Sequence, residues 1–230
     1  KRKKLRLLND INKNVITLKQ SELIKSKPVV LCLFKNGSYF IDSFIKHYQN
    51  IGFNNFVFLN NNSDDDSIEL LEKHNVTIIN SGLSYKKYKW AFKQFLVHQY
   101  GKNIWSLYAD IDEFWEFPYQ NRLNLKGFLN YLDQNNFNAV MSYMLDLFAD
   151  SPLKDLENLK ENDLKETFKY YDNTFLKIKP YTKAYNKTNH PDTSHFSGGI
   201  HDKSFGIDVI YLSKIPLIKW DDTISVHETS

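Results

Sequence analysis

The chain has a single cysteine, Cys32, among its 230 residues, so it cannot form a disulfide bond within itself. Cys32 lies in the apolar run Val29–Phe34, a setting typical of a core residue rather than a reactive thiol. No apolar run approaches the roughly 20 residues that a membrane-spanning helix needs, and no signal-peptide pattern opens the chain. The sequence therefore predicts a soluble, cytoplasmic protein that at most rests on a membrane.

The glycine-rich motifs of common nucleotide-binding folds are also missing. The chain has eight glycines but neither a Gly-x-Gly-x-x-Gly fingerprint nor a Walker motif, which disfavours dinucleotide-binding and P-loop proteins. Internal repeats and low-complexity tracts are absent from the sequence as well. A hydrophobic content of 42% nevertheless supplies a sizeable core and excludes a disordered chain.

Positive charge is concentrated at the start of the chain. Five of the first six residues are basic, namely Lys1, Arg2, Lys3, Lys4 and Arg6. Without these five charges the net charge of +3 becomes −2, so the rest of the chain lacks the basic face of a nucleic-acid-binding protein. The basic cluster fits either a solvated chain end or a peripheral contact with anionic lipid or phosphate, and the sequence leaves both open.

Apolar strands and amphipathic helices alternate through the first half of the chain. Strands are predicted over residues 29–34, 56–59, 76–79 and 104–109, with helices over 40–48, 66–73 and 86–99. This order is typical of a parallel α/β sheet with right-handed crossovers. Further along, the pattern predicts a helix over 125–132, strands over 139–148, 208–212 and 217–220, and a surface helix or lid over 152–170.

An acidic motif follows the fourth predicted strand, where residues 108–114 read Tyr-Ala-Asp-Ile-Asp-Glu-Phe. Because side chains alternate along a strand, Asp110 and Asp112 are expected on one face, roughly 6–7 Å apart. At the carboxyl end of a buried strand they would stand at the sheet edge where open α/β folds bind ligands. Two neighbouring carboxylates favour a cation between them, and Mg²⁺ or Mn²⁺ often shares one or two carboxylates with substrate phosphates. The alternative is a polar turn that merely follows a core strand.

With this motif, several other blocks resemble the GT-A glycosyltransferases, specifically the family 2-like and family 92-like group. The group has a Lys-Asn turn after the first strand, a histidine near the end of the next helix, an Asn- and Asp-rich loop and an Asp-x-Asp-Glu-Phe block. Here these are Lys35-Asn36, His47 and residues 61–65 and 110–114, and later blocks are residues 144–146, 197–200 and 213–220. The similarity covers residues 28–228.

The resemblance implies a GT-A fold, in which a single α/β domain is built on a mainly parallel central sheet flanked by helices. It implies Mn²⁺ or Mg²⁺ held by Asp112, with Asp110 directed at the metal or the ribose of the donor. His227 is either a late third metal ligand or an ordinary polar strand end. The group usually has an acidic residue where this chain has Asn60, whose amide can still bond to a uracil edge.

Further residues on the donor and acceptor sides follow from the same comparison. Asn36 and Asp65 are expected at the donor, and Lys35 and Lys89 are candidates for contacting its base or phosphates, against the alternative of solvated surface lysines. A carboxylate must take the proton of the acceptor hydroxyl in an inverting transfer. Four aspartates are considered for this base, Asp146 and Asp202 first among them: Asp146, Asp150, Asp202 and Asp208.

These features predict a metal-dependent hexosyltransferase that moves sugar from a nucleotide donor, expected to be a UDP-sugar, to a glycan or lipid-linked acceptor in surface-polysaccharide synthesis. Residues 1–27 are predicted as a basic lead-in, 28–118 as the nucleotide-binding half and 119–230 as the acceptor-side half of one domain. A sugar nucleotidyltransferase would have a glycine-rich basic loop after the first strand, where this chain has Lys35-Asn36-Gly37-Ser38. A catalytically silent carbohydrate-binding or scaffolding domain of the same fold remains an alternative.

Overall fold

A computed structural model of the chain describes residues 2–156, 164–180, 194–206 and 212–221. The contacts between residues group the chain into two units, Lys1–Val140 with Pro216–Ser230, and Met141–Ile215. These borders differ from the predicted division at residue 118. The difference arises because the helix Leu125–Gln134 buries Leu125, Phe128, Leu129 and Leu132 in the core of the first unit.

The first unit contains most of the regular structure. Its helices are α1 (Arg2–Asn14), α2 (Ile41–Ile51), α3 (Ser67–Glu72), α4 (Tyr85–Leu96), which continues into a π-helical turn (Val97–Gly101), and α5 (Leu125–Gln134). Its strands are β1 (Ile16–Lys19), β2 (Val29–Phe34), β3 (Asn55–Asn60), β4 (Thr77–Asn80) and β5 (Trp105–Tyr108). The border between the units falls within β6 (Ala139–Tyr143) and β9 (Ser213–Lys219).

The sheet has the strand order β1-β4-β3-β2-β5-β9-β6. β2 is parallel to both β3 and β5, and β3 is parallel to β4. β1 pairs antiparallel with β4 at one edge, and β9 pairs antiparallel with β5. The predicted α/β architecture, with a mainly parallel central sheet flanked by helices, is therefore confirmed. It brings the carboxyl ends of β2, β3, β4 and β5 to one edge of the sheet.

Both faces of the parallel strands are covered, which explains their unbroken apolar sequences. The side chains of alternate β2 residues lie on opposite faces of the sheet. Val30, Cys32 and Phe34 pack with α2 and α5 on one face. Val29, Leu31 and Leu33 pack with α1 and α4 on the other side. Cys32 is fully buried, in agreement with its expected place in the core.

The predicted lead-in over residues 1–27 belongs to the first unit. Ile11 of α1 is fully buried beside α4, and β1 adds a strand to the sheet by pairing with β4. The following loop is attached too, since the side chain of Asn55 accepts from the Ile24 N–H at 2.8 Å and donates to the Ile24 carbonyl at 2.9 Å. Residues 2–27 are thus built into the fold.

The second unit is smaller and consists of short elements. They are α6 (Leu153–Leu156), α7 (Leu164–Thr167), α8 (Ile200–Phe205) and the antiparallel pair β7 (Leu176–Pro180) and β8 (Ser194–Gly198). The strand predicted over 139–148 ends at Tyr143, and most of the strand predicted over 208–212 lies outside the described residues. Within the described ranges, every helix is too short or too polar to cross a bilayer.

Candidate functional site

The residues 110–113, hereafter the acidic turn, follow β5 at the carboxyl edge of the sheet. The strand ends at Tyr108, and the Glu113 N–H donates to the Asp110 carbonyl at 3.0 Å. The Asp110 N–H in turn donates to the Glu113 carboxylate at 3.3 Å. Asp110 and Asp112 therefore lie in a turn, and the predicted alternation along a strand is wrong here. Asp112 is exposed and Asp110 is half-buried.

Ile111 fixes the acidic turn against the loop that follows β2. Ile111 stands between the two aspartates in the sequence, and its side chain packs against the hydrophobic core. A Cβ atom added to Gly37 would lie 3.0 Å from Ile111 Cγ1 and 3.0 Å from Phe34 Cδ2. Because ordinary contacts between such carbons are longer, a glycine at position 37 lets the loop and the acidic turn approach each other.

Helix α2 holds the other end of the acidic turn through buried and partly buried hydrogen bonds. The Tyr48 hydroxyl donates to the Glu113 carbonyl and accepts from the Trp115 N–H, each at 2.9 Å. The His47 ring nitrogen Nε2 lies 2.9 Å from the Trp115 carbonyl. Burial raises the pKa of Tyr48 far above its usual value, so the hydroxyl stays protonated at any physiological pH. Sequence reasoning treated Tyr48 only as a core residue.

The loops that follow β2 and β3 are joined by hydrogen bonds around Asn36 and Asp65. The Asn36 N–H donates to Ser63 Oγ at 2.8 Å, and Asn36 Oδ1 accepts from the Asp64 N–H at 3.1 Å. The Asp65 carboxylate accepts from the Ser38 N–H at 3.0 Å and from the Ser67 hydroxyl. The structure thus brings Asn36 and Asp65 together as the connection between two loops at this edge.

Asn60, predicted to contact the base of the donor, is only 3% exposed. Its Nδ2 donates to Asn80 Oδ1 at 2.7 Å, and its Oδ1 accepts from the Ser63 N–H at 3.1 Å and from the Ser63 hydroxyl. Both ends of the amide are therefore engaged within the protein. A contact with a base would have to replace one of these hydrogen bonds.

One face of α4 carries aromatic and basic side chains, and one of them contacts Tyr108 at the end of β5. Tyr85, Lys89 and Lys93 are spaced four residues apart and so share a helix face. Lys89 is exposed, whereas Lys93 is only 5% exposed and its Nζ lies 4.5 Å from the centre of the Tyr108 ring. Burial, followed by the negative charge of Asp110, raises the pKa of Tyr108 well above its usual value. The buried Lys93 was not singled out from the sequence, where it reads as an ordinary helix lysine.

The remaining predicted residues fall elsewhere. Lys35 is exposed directly after β2. Asp146 is half-buried and Asp202 lies in the first turn of α8, both in the second unit. There the Asp202 carboxylate pairs with Lys177 Nζ at 2.7 Å. His227, the predicted third metal ligand, lies outside the described residues.

The acidic turn offers hard oxygen donors but no complete metal cage. Among the described residues, no group of three or more His, Cys, Asp or Glu side chains is placed to hold a metal ion. Mg²⁺ and Mn²⁺ are commonly bound by one or two carboxylates together with phosphate oxygens of a substrate. In donor type, the carboxylates of Asp110 and Asp112 suit an ion of this kind.

Asp65 makes the connection between the loops sensitive to acid. Burial alone would raise the pKa of its carboxyl, but the hydrogen bonds from Ser67 and Ser38 outweigh burial and lower the pKa below its usual value. A lowered pKa in the folded state stabilises the protein above the unfolded-state pKa of about 4, and this stabilisation is lost as the pH falls through the folded-state pKa.

We therefore expect Asp65→Asn to lower the free energy of unfolding at pH 7 by about 1 kcal/mol. The variant should also lose less stability than the wild type between pH 5 and pH 3, roughly the range in which a carboxyl titrates. Urea unfolding at several pH values measures both effects. The exposed neighbour Asp64 gives the matched control, Asp64→Asn. Equal pH dependence of Asp65→Asn and the wild type would contradict the assignment.

Neither a protein-family model nor a curated protein sequence matches the chain. Among solved structures, the chain is similar to S. aureus TarS, with 17% identity and a TM-score of 0.35 over 54% of this chain and 21% of that one. It is also similar to S. aureus TarS 1-349, with 14% identity and a TM-score of 0.38 over 80% of this chain and 50% of that one. The chain thus spans half or less of the length of these structures.

Proposed function

We propose that the protein is a metal-dependent glycosyltransferase of the GT-A type that moves a sugar from a nucleotide-sugar donor to a glycan or lipid-linked acceptor. The observation that carries the proposal is the acidic turn at the carboxyl edge of a parallel sheet, held in place by α2. This edge is where open α/β sheets bind ligands. The proposed setting, surface-polysaccharide synthesis at the cytoplasmic face of a membrane, rests on the sequence resemblance.

In this proposal, Asp110 and Asp112 hold Mn²⁺ or Mg²⁺ together with the donor diphosphate. When bound, the ion neutralises the negative charge that develops on the diphosphate as the bond to the sugar breaks. The exposed cations of Lys35 and Lys89 lie on the loop after β2 and on α4, the elements that flank this edge. They are the proposed contacts of the phosphates or the base, because a lysine is a mobile point charge suited to phosphate.

The contribution of Tyr48 and His47 is to fix the acidic turn before the donor binds. Their bonds to the backbone of Glu113 and Trp115 come from a helix packed in the core. A turn held in this way is already ordered before the ligand binds. The entropy cost of ordering it therefore does not reduce the binding free energy.

Asp146 and Asp202 are the proposed candidates for the base on the acceptor side. The carboxylate of Asp202 already pairs with Lys177. To take a proton from an acceptor hydroxyl, Asp202 would have to exchange this ion pair for the acceptor. Both residues belong to the second unit, whereas the acidic turn belongs to the first.

The loop after β2 argues against a sugar nucleotidyltransferase. In such enzymes, backbone N–H groups of a glycine-rich loop cradle phosphates. Here the N–H groups of Asn36, Gly37 and Ser38 donate to Ser63 Oγ, Ser67 Oγ and the Asp65 carboxylate. These three donors are engaged within the protein and would have to be released to bind phosphate.

A panel of UDP-, GDP- and CMP-sugars with Mn²⁺ distinguishes the transferase from a catalytically silent domain. We expect Mn²⁺-dependent hydrolysis of at least one donor. We also expect a rise of the unfolding midpoint by about 5–10 °C at donor concentrations near 100 times Kd. Binding without turnover would favour the silent carbohydrate-binding domain. The absence of both binding and turnover over the whole panel would contradict the proposal.

A further inference from the structure

Charge is distributed very unequally between the two helical layers of the first unit. α1 and α4 together carry nine lysines and arginines and one aspartate, a net charge of +8. On the opposite side of the sheet, α2, α3 and α5 carry two lysines and four acidic residues, a net charge of −2. Since the whole chain has a net charge of +3, everything outside α1 and α4 amounts to −5.

α1 and α4 form one continuous surface, which we name the basic face. Ile11 of α1 and Tyr88, Ala91 and Phe92 of α4 belong to the same buried cluster. The Tyr88 hydroxyl donates to the Asp10 carboxylate at 2.9 Å, so the single acidic residue of the basic face is engaged between the two helices. Lys4 Nζ lies 4.7 Å from the ring centre of Trp90 and connects the helices a second time.

The outward side of α1 presents a row of cations. Arg2, Arg6 and Lys13 are separated by four and seven residues, which places them on one stripe of a helix with 3.6 residues per turn. All three are exposed, as is Lys3. On α4, the exposed side chains Lys86, Lys87 and Lys89 extend the positive charge of the basic face.

Apolar side chains are exposed on α1 and on β1, the strand that follows it in the chain. Leu5 of α1 is 55% exposed. The next element, β1, exposes Ile16 at 55% and Leu18 at 44%, and its pairing with β4 is irregular at Leu18. A soluble polyanion gains nothing from exposed leucine and isoleucine, whereas a lipid surface binds both the cations and the apolar side chains of an interfacial helix.

We propose that the basic face binds the surface of a membrane rich in anionic phospholipid, with α1 lying in the interface. The inference does not depend on glycosyl transfer, because it rests on charge and exposure alone. If both proposals hold, the basic face would bring the enzyme close to a lipid-linked acceptor.

Co-sedimentation with vesicles tests the inference on the full chain, without donor or metal. The vesicles are phosphatidylcholine alone, or phosphatidylcholine with roughly one third phosphatidylglycerol. We expect binding to the anionic vesicles, a strong decrease in binding at high salt, and little binding to the neutral vesicles. Each cation near an anionic surface raises the affinity roughly fivefold. The variant Arg2→Glu/Arg6→Glu/Lys13→Glu lacks three of them and should therefore bind at least about 100-fold more weakly.

The matched control is Lys46→Glu/Lys73→Glu/Lys126→Glu, which changes the net charge equally with exposed lysines of the opposite layer. It should change vesicle binding less than about threefold. Leu5→Ser should weaken binding to vesicles several-fold but leave binding to soluble polyphosphate unchanged. Circular dichroism and the unfolding midpoint verify that each variant is folded.

Two results would overturn the inference. One is equal loss of binding in the two triple variants, which would show that only net charge matters. The other is the absence of binding to anionic vesicles, and tight binding of polyphosphate in that case would identify a soluble polyanion as the partner.

Discussion

Replacing Asp112 with alanine is expected to abolish Mn²⁺-dependent turnover of the donor and the metal dependence of nucleotide binding. Asp112 is the exposed carboxylate of the acidic turn, so its removal leaves Asp110 as the remaining proposed ligand of the ion. The loss of one preorganised group that stabilises developing charge costs about 100–1000-fold in rate. Initial rates and Mn²⁺ titrations of nucleotide binding measure the effect.

The stability of this variant should be almost unchanged, because an exposed side chain with no structural bond contributes less than about 0.5 kcal/mol. Asp64→Ala is the matched control, since Asp64 is an exposed aspartate after β3 whose carboxylate has no part in the proposed site. It should retain turnover. If Asp112→Ala retained both turnover and its Mn²⁺ dependence, the metal assignment would be wrong.

The second large effect is expected from Tyr48→Phe. The substitution keeps the ring in the core but removes the hydroxyl that bonds to the Glu113 carbonyl and the Trp115 N–H. One of these two hydrogen bonds is buried and the other is partly buried, and their loss should lower the free energy of unfolding by about 2 kcal/mol. The acidic turn would also be held less precisely, so the apparent affinity for Mn²⁺ with donor should fall by about tenfold.

Urea unfolding and Mn²⁺ titration measure the two effects of Tyr48→Phe separately. Tyr131→Phe is the matched control because Tyr131 is 54% exposed, and it should change the free energy of unfolding by less than about 0.5 kcal/mol. A Tyr48→Phe protein with both the stability and the Mn²⁺ affinity of the wild type would contradict the assigned role of the hydroxyl. Normal stability with weakened Mn²⁺ binding would limit that role to positioning the turn.

The parallel strands and their helices were predictable because their signals are local. The apolar run Val29–Phe34 matches β2 since α2 and α1 cover opposite faces of the strand. The stripe of Phe44, Ile45 and Tyr48 likewise places one side of α2 in the core. In both cases the residues that determine the element lie within the element.

The acidic turn and the N-terminal segment were not predictable in the same way. The turn depends on Tyr48, more than sixty residues earlier in the chain, whose hydroxyl bonds to Glu113. β1 depends on β4, with Lys19 opposite Ile78. A motif of alternating acidic and apolar residues fits a strand equally well until these distant partners are known, and a four-residue strand carries little signal of its own.

The position of β1 determines where a shorter fragment of this protein could begin. β1 pairs with the N–H and C=O groups of β4 that face away from β3, and it ends the sheet on that side. A fragment starting at Pro28 would leave those groups open to pairing with a second copy, which is a common route to aggregation. Residues 16–19 therefore cover an edge of β4 that such a fragment would expose.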